Sequence, residues 1–340
     1  MVISSSQSRV VIEKHLDGLM PFLSRSIQPS QTLVAVVDSK VAELYGHYFS
    51  FPTILIDASE ENKTLQTVDY VIHELLKLQI DRNCFLLGIG GGITTDIVGF
   101  VAAIYKRGVD CGLVPTSLLA MVDAAIGGKN GVNVHHLKNM VGTFRQPRFT
   151  YICTQFLYSL PIREYRAALS EILKVFLIDG RYFAEAVTFF TQTSFPALLQ
   201  NDACVQCLTD LMIKAINIKC EIVEKDELEH GCRRLLNLGH TFAHAIESCT
   251  TQYVHGEAVA MGLVLAAYNA QSLLTEELIR SLEQLHLPTR VPDDISTQQL
   301  ADAVCNDKKN TDTLVNVLLL KDIGKVKIQT MNATDLQWHW

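Results

Sequence analysis

Histidine and acidic residues in the second half of the sequence have the types and spacing of a metal site. His240 and His244 are one helical turn apart, so both side chains face the same side of a helix. His255 and Glu257 follow them, and Glu171 occurs in an earlier apolar segment. Imidazole and carboxylate groups are ligands of Zn²⁺, so this spacing predicts that the two helical histidines hold a metal together with a third histidine and an acid. The alternative is a pair of histidines on one helix face without a metal.

A glycine-rich segment at residues 88–96 has the features of a phosphate site. It follows an apolar run and precedes a helical pattern, so its backbone can approach a phosphate at a helix N-terminus. It departs from the usual dinucleotide fingerprint, because Ile93 occupies the position of the third glycine. Asp38, which ends an earlier strand pattern, is the acid that would bind a ribose. The segment predicts a nucleotide site, and a purely structural tight turn is the alternative.

Basic residues in apolar surroundings indicate a site for anions. Lys129 follows two glycines and lies close in sequence to Asp123, and Lys138 and Asn139 come shortly afterwards. Lysine in such surroundings suits anionic oxygens, which it binds through charge-assisted hydrogen bonds. Arg107 follows an apolar helical pattern. It is either a second anion ligand or a cation that stabilises the negative end of the helix dipole.

The overall composition limits the classes of protein to which this chain can belong. The 340 residues are 48% hydrophobic and 19% charged, which predicts two folded domains and excludes a disordered chain. A net charge of −7 argues against a nucleic-acid partner. The nine cysteines form no disulfide pattern and the opening residues lack the features of a signal peptide, so we expect a cytoplasmic protein. The apolar stretch 84–105 has Asp96 near its middle, so we expect no membrane span.

The elements that position these residues differ between the two halves. In the first half, strand patterns at 32–38, 53–57 and 84–87 alternate with helical patterns at 64–78 and from about Thr94 onwards. Repeated βα units predict an α/β N-terminal domain with a mostly parallel wound sheet. The second half predicts an all-α C-terminal domain, with helical patterns at 163–178, 203–226, 241–248, 258–274 and 275–285. We expect an NAD-binding domain at 1–158 and a metal- and substrate-binding domain at 159–340.

The order of motifs resembles that of 3-dehydroquinate synthases across most of the chain. The segments that carry the resemblance are GGGxxxD, Arg-Gly-Val, PTSLLAMVD, GGKxGVN, LKN, SEILK, RRLLNLGHTFAHAIE and HGEAVAMG. The resemblance implies an α/β NAD domain, a helical domain, a homodimer, and catalytic NAD with Zn²⁺, for which Co²⁺ can substitute. It also implies the formation of 3-dehydroquinate and phosphate from 3-deoxy-D-arabino-heptulosonate 7-phosphate in the shikimate pathway. The alternatives are another sugar phosphate cyclase or a metal-dependent alcohol or glycerol dehydrogenase.

The resemblance also implies roles for individual residues. The metal ligands would be Glu171, His240 and His255, whereas His244 would face the substrate. NAD would contact Asp38, Glu60, Lys63, Gly90, Gly91, Gly92, Asp96, Thr116, Ser117, Asp123 and Lys138. The substrate would contact Arg107, Lys129, Asn139, Lys174, Lys219, Arg233, Asn237, His244, and Lys308 or Lys309.

The sequence departs from the common family pattern at several positions. Ala124 and Ala125 replace serines, Leu137 replaces a glycine, and Asn130 replaces a threonine. Asn130 is the departure expected to matter most, because it adjoins Lys129 and could alter contacts to cofactor or substrate. Related cyclases tend to differ in the Gly-Gly-Lys segment, so its presence here favours a dehydroquinate synthase.

Overall fold

The computed structural model describes residues 2–4, 8–135, 137–305 and 314–338. Lys308 and Lys309, which are predicted to contact substrate, lie outside the described residues. The chain divides into two compact units, residues 1–160 and 161–340. None of the described helices is both long enough and apolar enough to cross a membrane.

The first unit is built on a wound sheet, as the repeated βα pattern predicts. Its strands are β1 (Val2–Ser4), β2 (Arg9–Glu13), β3 (Thr32–Asp38), β4 (Thr53–Ile56), β5 (Cys84–Gly90), β6 (Asp110–Pro115), β7 (Lys129–Val134), β8 (Leu137–Phe144) and β9 (Phe149–Cys153). The large sheet has the order β1-β2-β9-β6-β5-β3-β4, with β1 antiparallel to β2 and the other neighbours parallel. Strands β7 and β8 form a separate antiparallel pair. The predicted α/β fold class is confirmed.

The helices of the first unit connect these strands. They are α1 (Leu19–Ser26), α2 (Ser39–Tyr45), α3 (Leu65–Lys77) and α4 (Gly92–Ile104). Thr64 caps α3, since its hydroxyl accepts a hydrogen bond from the backbone N–H of Thr67, and the helix buries Val68, Val71 and Leu75. Helix α4 is predicted to begin near Thr94 but begins two residues earlier, at Gly92, with Gly91 as its N-cap.

Asn130 has a structural role that the sequence does not reveal. Its side chain is 8% exposed, and its Nδ2 donates to the carbonyls of Gly128 and Arg145 at 2.9 and 3.0 Å. Its Oδ1 presses against Gly99 of α4, where an added Cβ would lie 1.8 Å from that oxygen. The asparagine therefore packs strand β7 against α4, and its amide is directed at the protein backbone.

We expect Gly99→Ala to destabilise the protein by about 1–3 kcal/mol, the usual cost of overpacking. The new methyl group would displace an amide that two hydrogen bonds hold in place. Chemical denaturation measures the effect, with Gly46→Ala as the matched control, because a Cβ there meets nothing within 4 Å. In an Asn130→Ala background the same substitution should cost less, because the clash is removed. Equal costs in both backgrounds would contradict this account.

The second unit is mainly helical. Its helices are α5 (Ile162–Asp179), α6 (Phe183–Gln192), α7 (Phe195–Leu199), α8 (Asp202–Lys225), α9 (His240–Cys249), α10 (His255–Asn269), α11 (Thr275–Gln284) and α12 (Thr297–Cys305). The predicted all-α description needs one addition, an antiparallel hairpin of β10 (Leu314–Asp322) and β11 (Lys325–Asn332). In β10, Val315 is buried between two exposed residues, and the four residues from Val317 to Leu320 are all buried. This pattern is not the simple alternation of buried and exposed residues that identifies a strand.

Candidate metal and nucleotide sites

Glycine residues allow three segments of the second unit to approach closely. Gly256, in the first turn of α10, lies against α5, where an added Cβ would be 2.0 Å from the carbonyl oxygen of Ala167. Gly262 of α10 lies against Gly239, where a Cβ would be 2.2 Å from the Gly239 oxygen. Gly239 has a φ of +79° and immediately precedes α9. These contacts bring the start of α10 next to α5 and the start of α9 next to the middle of α10.

Glu171, His240 and His255 converge as a result. Their ligand atoms all lie within 4.8 Å of one another. Oε1 of Glu171 is 3.6 Å from Nε2 of His240 and 3.5 Å from Nε2 of His255. A tetrahedral Zn²⁺ ion with bonds of about 2.0–2.1 Å separates its ligands by about 3.4 Å. The three side chains therefore fit a zinc or cobalt ion.

The electrostatics of Glu171 and His240 also suit a metal cation. Glu171 is 1% exposed, and its Oε2 lies 2.5 Å from Nζ of the buried Lys174. Burial alone would raise the pKa of Glu171, but Lys174 and His255 outweigh it and lower the pKa to about 2. Burial lowers the pKa of His240 well below its usual value, with the positive charge of Lys174 acting in the same direction. Glu171 is thus an anion and His240 a neutral imidazole, the protonation states that metal ligation requires.

His244 lies beside this group without belonging to it. Its ring is 5.5 Å from the ring of His240 and 6.4 Å from that of His255, measured between centroids. Among the described residues, the group able to hold a metal includes Glu171 and excludes His244. The geometry therefore favours the ligand set that the family resemblance implies over a pairing of His240 with His244.

Glu247 is a residue of this region that sequence reasoning missed. Its Oε1 lies 3.3 Å from Nδ1 of His255, and its side chain is 3% exposed. Burial would lower the pKa of His255, but the carboxylates of Glu247 and Glu171 raise it to about 10. The sequence feature that could have identified Glu247 is its position seven residues after His240, because this spacing places both side chains on one face of α9.

Three further predicted substrate residues of the second unit lie in α8 and in the short 3-10 helix Cys232–Asn237 that follows it. Lys219 is a buried residue of α8. Arg233 is 1% exposed, and its guanidinium donates to the carbonyl of Glu227, whereas Asn237 donates to the carboxylate of Glu229. The structure places these three polar groups on one short stretch of chain around the end of α8.

The predicted nucleotide residues gather at the carboxyl ends of neighbouring strands in the first unit. Asp38 ends β3, the glycines follow β5, and Thr116 and Ser117 follow β6, and these three strands are adjacent. The backbone N–H of Thr116 donates to the carbonyl of Gly90 at 2.9 Å. Ligands bind at this edge of parallel sheets, so the arrangement suits a nucleotide.

The glycine segment also fits a pyrophosphate. Helix α4 begins at Gly92, and no side chain caps its first turn, so its backbone N–H groups can bind an anion. At Gly91 an added Cβ would meet nothing closer than Ser117 Oγ at 3.5 Å, which leaves the backbone open. Thr94 is fully buried in this turn, and its hydroxyl oxygen has no hydrogen-bond partner among the described residues.

Lys63 joins residues that were assigned to different ligands. Its Nζ lies 2.5 Å from Oδ2 of Asp96 and 2.6 Å from Oδ1 of Asn139. Asn133, which sequence reasoning did not single out, accepts from the backbone N–H of Asn139 at 2.9 Å and donates to Oε1 of Glu60 at 2.8 Å. The structure therefore groups the predicted NAD residues Glu60, Lys63 and Asp96 with the predicted substrate residue Asn139.

Arg107 is separated from the nucleotide residues of its unit. It follows the C-terminal end of α4, whose N-terminal end carries the glycines, and 13 helical residues span about 20 Å. Arg107 is exposed and has a φ of +66°, next to Lys106 with a φ of +47°. Two consecutive residues other than glycine in the left-handed region are strained, and such strain often occurs at functional sites.

Comparison with known proteins gives matches along most of the chain. A model described as 3-dehydroquinate synthase N-terminal matches residues 53–167, and one described as 3-dehydroquinate synthase C-terminal matches residues 168–310. A curated 3-dehydroquinate synthase of Coxiella burnetii is 38% identical over 328 residues, which cover 94% of this chain and 88% of the relative.

Solved structures give similar folds. The 2-epi-5-epi-valiolone synthase of Streptomyces hygroscopicus subsp. jinggangensis, solved with NAD⁺ and Zn²⁺ bound, has a TM-score of 0.85 and 27% identity, covering 98% of this chain and 95% of that one. A 2-deoxy-scyllo-inosose synthase has a TM-score of 0.82 at 22% identity, covering 98% and 97% of the two chains, and at this identity it shows the fold alone.

Proposed function

Because this chain belongs to the 3-dehydroquinate synthase family, we propose that it converts 3-deoxy-D-arabino-heptulosonate 7-phosphate into 3-dehydroquinate and inorganic phosphate. The enzyme would be a phosphate-eliminating lyase of the shikimate pathway, which leads to chorismate and the aromatic amino acids. Its cofactors would be catalytic NAD and Zn²⁺, with Co²⁺ as a substitute, as the 27% identical cyclase solved with NAD⁺ and Zn²⁺ supports.

One observation carries the proposal. The match to both parts of the family extends over residues 53–310, and the group of Glu171, His240 and His255 lies inside it with a geometry that fits a zinc ion. Asp38 and the glycines before α4 have the placement and the open backbone that a dinucleotide needs.

The residues of this chain would act mainly by binding and orienting the substrate. When bound, a divalent ion held by Glu171, His240 and His255 would supply Lewis acidity to a substrate hydroxyl, and NAD held by Asp38 and the glycines before α4 would supply reversible hydride transfer. A ketone at that carbon would acidify the neighbouring C–H bond, and the phosphate itself would take that proton as it leaves by elimination. Lys129, Lys174 and His244 would hold the carboxylate and phosphate through charge-assisted hydrogen bonds.

Another sugar phosphate cyclase activity is the second candidate. The similarity to 2-epi-5-epi-valiolone synthase supports it. The higher identity of the curated 3-dehydroquinate synthases and the presence of Gly127, Gly128 and Lys129 favour the first proposal. A metal-dependent alcohol or glycerol dehydrogenase is less suited, because net hydride transfer needs no residues that bind phosphate.

A stoichiometry assay tests the proposal. With the heptulosonate phosphate as substrate, catalytic amounts of NAD should support many turnovers, because the hydride leaves and returns on one cofactor. Phosphate should accumulate in step with product while NADH absorbance stays near zero. A chelator should stop phosphate release, and added Zn²⁺ or Co²⁺ should restore it. NADH formed one-for-one with substrate consumed would establish a dehydrogenase, and faster phosphate release from a different seven-carbon sugar phosphate would establish another cyclase.

We also propose that the protein is a cytoplasmic homodimer without nucleic-acid or membrane partners. All nine cysteines are free thiols in the structure, which suits a reducing compartment. The dimer follows from the family resemblance, and sedimentation of the purified protein would test it.

A further inference from the structure

The ring of His255 lies between two buried carboxylates. Its Nε2 is 3.5 Å from Oε1 of Glu171, and its Nδ1 is 3.3 Å from Oε1 of Glu247. The two glutamate side chains are 1% and 3% exposed. Nε2 is therefore the nitrogen that faces the candidate metal position, and the opposite nitrogen faces a second carboxylate.

His240 has the same arrangement with a different acceptor. Its Nε2 faces Glu171 at 3.6 Å, and its Nδ1 lies 3.2 Å from the carbonyl oxygen of Leu238. A neutral histidine that binds a metal through Nε2 carries its proton on Nδ1, and that N–H needs an acceptor. The backbone supplies the acceptor for His240. For His255, Glu247 occupies the corresponding position.

A second nearby glutamate has a different role. Glu257 accepts a hydrogen bond from the backbone N–H of Val254 at 3.1 Å, and its two carboxylate oxygens accept hydrogen bonds from the guanidinium of Arg163. It therefore fixes the backbone at the start of α10, whereas the contact of Glu247 is with the imidazole of His255 itself. Glu247 belongs to α9, so the helix that supplies one candidate ligand also orients the other.

We infer that Glu247 is a positioning residue of the metal site. It accepts a hydrogen bond from the Nδ1–H of His255, which fixes the tautomer and the ring orientation and directs Nε2 to the ion. Its negative charge also makes the imidazole a stronger ligand, and partners of this kind typically contribute a factor of 10–100 to metal affinity. The inference rests on the proposed metal site.

Metal affinity tests the inference independently of activity. The dissociation constant of Zn²⁺ is measured by competition with a chromophoric chelator for the wild type, Glu247→Gln, Glu247→Ala and Glu277→Gln. Glu277 is an exposed residue of α11 and provides the matched control. We expect Glu247→Ala to weaken binding by about 10–100-fold. Glu247→Gln keeps an acceptor oxygen and loses only the charge, so its loss should be smaller. Thermal unfolding of the metal-free variants checks that each is folded.

A spectroscopic measurement separates positioning from general support of the fold. In ¹⁵N-histidine NMR of the zinc-loaded protein, the Nδ1–H of His255 should be protected from solvent exchange in the wild type and unprotected in Glu247→Ala. Its signal is assigned by through-bond correlation to the backbone of His255 in uniformly labelled protein.

Wild-type affinity in both Glu247 variants, with zinc lost in His255→Ala, would overturn the inference and leave the metal site standing. Wild-type affinity in His255→Ala would instead refute the metal site on which the inference rests. An equal loss of affinity in Glu277→Gln would also overturn it, because the effect would then not be specific to Glu247.

Discussion

Replacing Glu171, His240 or His255 with Ala is expected to abolish phosphate release and to lower the zinc content of the purified protein. Each substitution leaves two donor groups, too few for the three protein ligands of a catalytic zinc site. Glu171→Ala removes the only acidic member of this group and also leaves the ammonium of Lys174 buried without the carboxylate that it contacts at 2.5 Å. Elemental analysis and a phosphate assay on the same preparations measure both effects.

His244→Ala is the matched control for this prediction. It removes an imidazole from the same face of α9, but His244 is outside the group whose ligand atoms lie within 4.8 Å. We expect the variant to keep its zinc and to turn over more slowly, because the proposed role of His244 is to contact substrate. Loss of zinc in His244→Ala with retention in His255→Ala would refute the ligand assignment.

Lys129→Ala is expected to lower turnover by about 100-fold or more, as the loss of other preorganised charge-stabilising groups does. Lys129 begins β7 directly after Gly127 and Gly128, whose φ angles are +95° and +67°. The carbonyl of Gly128 accepts from the backbone N–H of Arg145 at 2.8 Å, so the base of the lysine is held in place. NAD affinity should change much less, because the proposed partner of Lys129 is the substrate. Steady-state kinetics and NAD titration test both statements.

Lys77→Ala provides the control for a lysine without a proposed role. Its side chain is 58% exposed and its pair with Glu74 is a surface ion pair, so removal should leave turnover unchanged. Near-normal turnover in Lys129→Ala would refute the anion-binding role.

Arg107→Ala distinguishes the two interpretations of Arg107. If the residue binds substrate, turnover should fall by a similar factor of about 100. Near-normal turnover would mean that Arg107 only stabilises the end of α4. The structure separates this residue from the glycine segment by the length of that helix.

The sequence by itself determined the elements and most of the candidate chemistry. The apolar runs at Thr32–Asp38 and from Cys84 predicted β3 and β5, because strands buried on both faces have no polar alternation. The helical period predicted α3, α5 and α8 to within two residues at each end, since it depends only on which side of a helix is apolar. The ordered motifs identified the family and, through the resemblance, predicted the cofactors.

Only the tertiary structure decided which side chains meet. His240 and His244 are neighbours in any helix, but whether Glu171 and His255 join His240 depends on the close contacts that α10 makes through glycines with α5 and with the start of α9. Such contacts between distant segments leave no periodic trace in the sequence, because they depend on the packing of whole elements. For the same reason Glu247 was missed, and Asn130, expected to influence the ligands, proved to pack against α4.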